Sequence, residues 1–199
     1  MATEHRELRS DARDNRAKIV AVATDLIEKD GTMASLNEIA KTAGVGPATL
    51  YRHFATRDEL LAEILGTWLV RVQDAADEWV VESRSDLVAW LERLANIANT
   101  YRGLSASLAA SMVDAESPLS SAHRTTLSAN ELVFEKARAA GVIDGPVDSG
   151  TVARLVTGVA MVADSAELPA EEVGEMLSII LDGLMVRAQS AAASPAEMR

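Results

Sequence analysis

Leu36-Asn37-Glu38-Ile39-Ala40-Lys41-Thr42-Ala43-Gly44-Val45-Gly46-Pro47-Ala48-Thr49-Leu50-Tyr51-Arg52-His53-Phe54 reads as two short helices around a tight link. Ser35 stands just before the stretch with Glu38 three residues on, the spacing of a capping box that opens the first helix. Gly44 supplies a left-handed stop. Pro47 suits the first turn of the second helix, where the missing N–H had no partner to lose. Ile39, Ala40, Val45 and Leu50 are apolar and can pin the two helices at a fixed angle. This is the sequence shape of a helix-turn-helix. Its second helix is free to present Pro47, Ala48, Thr49, Tyr51 and Arg52 to a major groove, N-terminal residues first. No acid interrupts the run from Gly44 to Thr56.

The surroundings are helical too. Upstream, Ile19, Val20, Ala23, Leu26 and Ile27 share one helical face between Arg16 and Lys29, and Gly31 ends it. Downstream, Thr56 and Glu59 form a second capping box, opening a long helix with Leu60, Leu61, Ile64, Leu65, Trp68, Leu69, Val72, Ala76 and Trp79 at helical spacing. Ser85 is expected to cap the next helix, and Ser105–Val113 to form a short one. Pro118 is expected to start a helix ending at Gly141, and Asp148 or Ser149 to cap one running to about Ala166. Pro169 starts the last. Strand alternation is absent, so the expected fold is all-α with about nine helices. It divides into a flexible N-terminal arm (1–13), a three-helix helix-turn-helix domain (14–60), a larger helical ligand-binding and dimerisation body (61–189) and a frayed tail (190–199).

Composition at first opposes nucleic acid. The 199 residues carry 19 Lys+Arg against 30 Asp+Glu, a formal charge of −11, whereas phosphate binding runs on Lys and Arg. The distribution removes the objection. Residues 1–60 hold nine basic and ten acidic side chains, and residues 61–199 hold ten and twenty, so the acidity belongs to the body. Arg6, Arg9, Arg13, Arg16 and Lys18 crowd the N-terminal end, interleaved with acids. They read either as an ordinary charged tail or as a basic arm reaching a neighbouring groove. With no cysteine the chain has no disulfide framework, thiol nucleophile or cysteine metal site. The N-terminal residues lack the apolar stretch of a signal peptide. The longest uncharged apolar run, Leu155 to Ala163, falls far short of the ~20 residues of a membrane helix. A cytoplasmic protein is expected, with no membrane partner.

The stretch from Leu36 to Phe54, followed by Arg57 and Leu60, closely resembles the DNA-binding signature of the TetR family of transcriptional regulators. The resemblance implies a homodimer on a palindromic double-stranded operator, acting as a repressor released by a small-molecule effector. By position, Ser35, Thr49, Tyr51 and His53 resemble the family's phosphate-contacting set, and Arg57, where the family usually has Lys, is implied to do likewise at the start of the long helix that follows. Asn37, Pro47, Ala48 and Arg52 occupy positions that approach base edges. The stretches from Trp90 to Leu104 and from Ala137 to Asp148 resemble a C-terminal subtype of actinobacterial members. The resemblance names no ligand.

In the body, Leu155, Gly158, Val159 and Val162 make a face of small and branched residues, and Val173, Leu177, Ile180, Leu181 and Leu184 make a second. The resembled family pairs these two helices across its dimer. Trp68, Trp90, Met112 and Met161 are candidates for a pocket lining, since pockets are mainly apolar and Met adapts to irregular shapes. No catalytic role is expected. His123 lies near Asp114, Glu116 and several serines in sequence, but no local motif supports a triad, and there is no phosphate loop or HExxH. Glu171, Glu172 and Glu175 sit where acids complement a helix dipole. Neither a metal nor a cofactor is expected. The competing reading is a helical interaction or scaffold protein without specific DNA binding.

Overall fold

The computed structural model describes the backbone of residues 2–193 and the side chains of 11–66 and 68–185. The described residues form α1 (Ala2–Asp30), α2 (Leu36–Thr42), α3 (Pro47–His53), α4 (Arg57–Glu78), α5 (Arg84–Ala98), α6 (Leu104–Ser111), α7 (Ser120–Ala139), α8 (Ser149–Ala166) and α9 (Ala170–Ala193). The all-helical expectation stands. None of the helices is long and apolar enough to cross a membrane.

Two hydrophobic cores organise the chain. The head core gathers Ile19, Ala23 and Ile27 of α1, Ile39 and Ala40 of α2, Leu50 of α3, Phe54, and Leu60, Leu61, Ile64 and Leu65 of α4. The body core is built on Trp90, Leu91, Val133, Phe134, Val156 and Leu177 from α5, α7, α8 and α9. α4 runs through both, with Leu60–Leu65 in the head and Val72 and Ala76 in the body. The boundary expected at residue 60 therefore falls inside a continuous helix. Tyr101, Leu104 and Leu119 join the head core from the body side, and Leu108 packs against both cores.

Local signals place most helix ends, with instructive departures. α1 begins at Ala2, so residues 2–13 of the stretch expected as an arm (1–13) are the first part of the helix. No Gly or Pro interrupts it before Gly31. α9 runs to Ala193, past the expected start of the tail, whose residues 194–199 lie outside the described ones. Ser35 is the N-cap of α2, yet its side chain makes no capping bond, so that expected box does not form. At α4 the Thr56 hydroxyl accepts from Glu59 N, while Glu59 Oε2 accepts from Ala55 N at 2.6 Å rather than from the cap itself. Ser83, not Ser85, caps α5, because Asp86 stands three residues beyond it and accepts from Ser83 N and Glu82 N. α6 starts at Leu104, and α7 starts two residues after Pro118.

Long-range bonds tie the body together. Trp90 is fully buried and donates Nε1–H to Asn130 Oδ1 at 2.7 Å, joining α5 to α7. Trp79 meets it edge-on, with ring centroids 5.3 Å apart. Arg84 reaches α9, donating to Asp182 Oδ1 at 2.8 Å and to Ser178 Oγ at 2.6 Å. Lys136 Nζ donates to the carbonyls of Ala76, Asp77 and Trp79 at 2.8, 2.6 and 3.1 Å, so all three of its protons meet the open C-terminal end of α4. The cation also suits the negative end of the α4 dipole. Lys136→Met should keep much of the stem's packing but orphan those carbonyls. We expect a loss of about 1–3 kcal/mol by chemical denaturation; an unchanged midpoint would show that water replaces the ammonium freely.

Candidate nucleic-acid interface

The turn between α2 and α3 is fixed by backbone geometry. Ala43 N donates to Ile39 O at 2.9 Å and Val45 N to Ala40 O at 3.0 Å, while Gly44 takes φ +69°. This left-handed exit redirects the chain within two residues and satisfies the last carbonyls of α2. Gly46 caps α3 with its carbonyl, which accepts from Leu50 N at 3.1 Å, and Pro47 follows as the first helical residue. Leu50 is fully buried and sets the roll of α3 about its axis.

That roll decides what faces outward. Pro47, Ala48, Tyr51 and Arg52 are exposed, and Thr49 and His53 are half-buried. Tyr51 keeps 48% of its surface open, high for an aromatic side chain in a helix of a folded head. Arg52 Nη2 donates to Thr49 Oγ1 at 2.9 Å, which holds the guanidinium along the outer face of α3. Ser35 and Asn37 are exposed at the start of α2. The structure thus brings eight of the nine residues expected at this face to the exposed or half-buried surface of one pair of helices.

Arg57, at the start of α4, has structural partners as well. It is half-buried, and its Nη1 donates to the carbonyls of Thr32 and Ala34, the latter at 2.9 Å. It positions the loop before α2 from behind. Arg16 does the same for α3, a role the sequence reading missed. Its Nη1 donates to His53 O at 3.1 Å, its Nη2 pairs with Glu63 at 3.0 Å, and its guanidinium lies 4.3 Å from the centroid of the Phe54 ring. The C-terminus of α3 is therefore held against α1 and α4 by one cation. The signal in the sequence was only another arginine in a basic cluster.

A small cavity lies in the body, between α4, α5, α6, α7 and α8. Its volume is about 50 Å³, where one water needs roughly 10–15 Å³ by such a measure. Trp68 and Met112 line it, as expected, beside Leu69, Ile97 and Val156. Trp90 does not, because its ring is sealed in the core on Asn130, and Met161 does not, because it lies on the outer face of α8. His123, Thr126 and Thr157 supply the polar part of the wall. His123 is thus a cavity residue; among the described residues its ring has no hydrogen-bond partner. Burial, then the charges of Arg154 and Arg124, hold its imidazole below the ordinary value. The Tyr101 phenol is pushed up by burial and by Glu28 of α1. No cluster of three metal-ligating side chains occurs among the described residues.

The residues expected at a dimer interface divide. Val159, Val173, Leu177 and Leu181 are buried within the subunit's own core, because they lie on the sides of α8 and α9 that face the bundle. Ile180 and Leu184 are half-buried and pack on that core too. Leu155 and Val162 remain 40% and 49% exposed, with Gly158 half-buried between them and open space above it. Ile179 of α9, which the sequence reading missed, is 64% exposed. Periodicity identified the apolar helices, but both sides of each are apolar and only packing tells them apart.

An exposed helix-turn-helix on a helical body defines a class, that of helical regulators with a separate DNA-facing head. Residues 19–64 match the bacterial regulatory proteins of the tetR family, and residues 82–186 match the C-terminal domain of SbtR-like transcriptional regulators. The chain belongs to the TetR family of transcriptional regulators. An HTH-type transcriptional regulator of Staphylococcus aureus (strain USA300) is 43% identical over 54 residues, 27% of this chain and 29% of that protein. The match thus spans under a third of the length of that curated relative. The crystal structure of the TetR transcriptional regulator SCO0520 from Streptomyces coelicolor is similar with a TM-score of 0.55 and 28% identity, over 85% of this chain and 98% of that one. GusR of Salmonella enterica shares the fold at 24% identity, with a TM-score of 0.60 over 86% and 95% of the two chains.

Proposed function

We propose that the protein is a cytoplasmic, sequence-specific DNA-binding regulator, a homodimer that represses from a palindromic operator and is released by a small effector. The observation that carries this reading is the outer face of α3, acid-free and exposed, with Arg16 bracing it from behind and Arg57 holding the loop before α2. In a strongly acidic chain such a face is where a phosphate backbone can approach. Tyr51, Thr49, His53 and Ser35 serve as phosphate contacts that set register, and Arg52, Asn37, Pro47 and Ala48 approach base edges. The exposed stripe of Leu155, Gly158, Val162 and Ile179 supports pairing of two copies through α8 and α9. The cavity supports an effector site. Effector binding acts by favouring a dimer whose recognition helices no longer match half-sites about 34–36 Å apart.

A gel shift on fragments of the source genome tests the reading. Retention should weaken steeply with salt, and loss of all retention at low salt would leave a helical interaction protein. On the retained operator, Tyr51→Ala should weaken binding to most sequences about equally. Arg52→Ala should instead relax preference at one base position, by about 1–3 kcal/mol for a bidentate contact. Wild-type binding by both variants would overturn the assignment of α3.

A further inference from the structure

The body cavity is chemically lopsided. α4, α5 and α6 present only apolar side chains to it, including Leu69, Ile97 and Leu108. The polar groups gather where α7 meets α8, at His123, Thr126 and Thr157. Thr126 donates its hydroxyl proton to Ala122 O at 3.0 Å, which leaves His123 and Thr157 as the donors without a partner among the described residues. No acid lines the cavity, although the chain has 30 of them. The charges felt at the His123 ring are those of Arg124, on its own helix, and Arg154, across on α8. Neither lines the cavity: Arg124 donates to Ser120 Oγ at 3.1 Å, and Arg154 donates to Thr151 Oγ1 at 3.2 Å with Asp148 Oδ2 3.6 Å away. An apolar sac with an acid-free, donor-bearing end suits an anion with a hydrocarbon body.

We propose that this cavity takes a small monocarboxylic acid, with its hydrocarbon part among the apolar side chains of α4, α5 and α6 and its carboxylate on His123 and Thr157. The inference rests on the effector reading for its regulatory consequence only; the binding chemistry stands on the cavity itself. The Thr157 hydroxyl and the His123 imidazole satisfy the carboxylate, and the imidazolium that forms on binding offsets its loss of water. A six-carbon acid exceeds the roughly 50 Å³ of the cavity, so Met112, half-buried at the wall and unbranched, swings to admit its chain. Burial and the arginines disfavour the imidazolium while the cavity is empty. A carboxylate beside the ring favours it. Binding therefore takes up protons, and affinity falls as pH rises through the window between the empty-state and bound-state values.

The test compares hexanoate, hexan-1-ol and hexylammonium on the full chain by thermal shift and calorimetric titration. Hexanoate should bind about tenfold or more tightly than the alcohol, as a charge-assisted bond implies, and the ammonium more weakly still. Titrations at about pH 7 in buffers of different ionisation heat should show proton uptake for hexanoate alone. His123→Phe should abolish the uptake and the acid's advantage while sparing alcohol binding, and Thr157→Val should reduce the advantage alone. Equal binding of hexanoate and hexylammonium, no binding of any of the three, or an acid preference untouched by both variants would overturn the proposal. Operator release is measured separately on the protein–DNA complex. Hexanoate that binds with the predicted signature but releases no DNA would overturn the effector reading and leave the binding chemistry standing. Release by the alcohol equal to that by the acid would do the reverse.

Discussion

Phe54→Ala should cost the head about 3–5 kcal/mol, the range for removing a fully buried aromatic side chain. Phe54 is 1% exposed and sits where α3 ends, its N–H bonded to Leu50 O at 2.9 Å. Its ring supports the Arg16 guanidinium, which in turn holds His53 O and Glu63. The truncation thus opens a cavity and also loosens the anchor of α3. DNA affinity should fall further than the lost stability accounts for, because α3 loses its set angle even in molecules that remain folded. Phe54→Leu separates the two effects. It keeps most of the volume and should cost under about 1.5 kcal/mol in packing, with the cation–π contact adding roughly 0.5–1 kcal/mol. Chemical denaturation and gel shift on both variants decide the matter. A cost below about 1 kcal/mol for Phe54→Ala would mean the head core does not depend on this ring.

Gly31→Ala should damage the protein more than the same change at Gly44. Gly31 has φ +78°, and a Cβ there would lie 2.9 Å from both Cβ and the carbonyl oxygen of Arg102. The left-handed backbone alone costs an alanine about 1–2 kcal/mol. The contact adds to this, since one of its partners is backbone and cannot swing away. Gly44 is the control: it is also left-handed, at φ +69°, but nothing lies within 4 Å of the added methyl. Gly44→Ala should therefore show the conformational cost alone. If denaturation finds the two variants equally destabilised, the close approach at Gly31 is not the constraint described.

The helix-turn-helix was legible because its signals are local. Gly44, Pro47 and the apolar set of Ile39, Ala40 and Leu50 act within a few residues of one another, and the structure places them as their spacing implies. Arg16, Arg57 and Lys136 were opaque for the opposite reason. Their partners lie 37, 23 to 25 and 57 to 60 residues away, and a charged side chain in sequence looks the same whether it meets solvent, phosphate or a carbonyl. Trp68 and Trp90 make the same point within the body. Both sit at helical spacing on neighbouring helices, yet one lines the cavity and the other is sealed against Asn130, a difference set by the packing of α7 and α8. Capping was legible to within two residues at Ser83, where Asp86 rather than the nearest serine determines the start.

The junction at Gly31 bears on how the molecule melts. Thr32 N donates to Arg102 O at 2.8 Å, Gly103 N donates to Asp164 Oδ2 of α8 at 2.8 Å, and α4 runs unbroken through both cores. The head therefore has no flexible tether along which to come apart by itself. Heating should produce one calorimetric transition rather than a head transition followed by a body transition. Hydrogen exchange at Leu50 and Phe54 should slow whenever the body is stabilised, even by something that never touches the head. In that sense the two halves share a single thermodynamic fate.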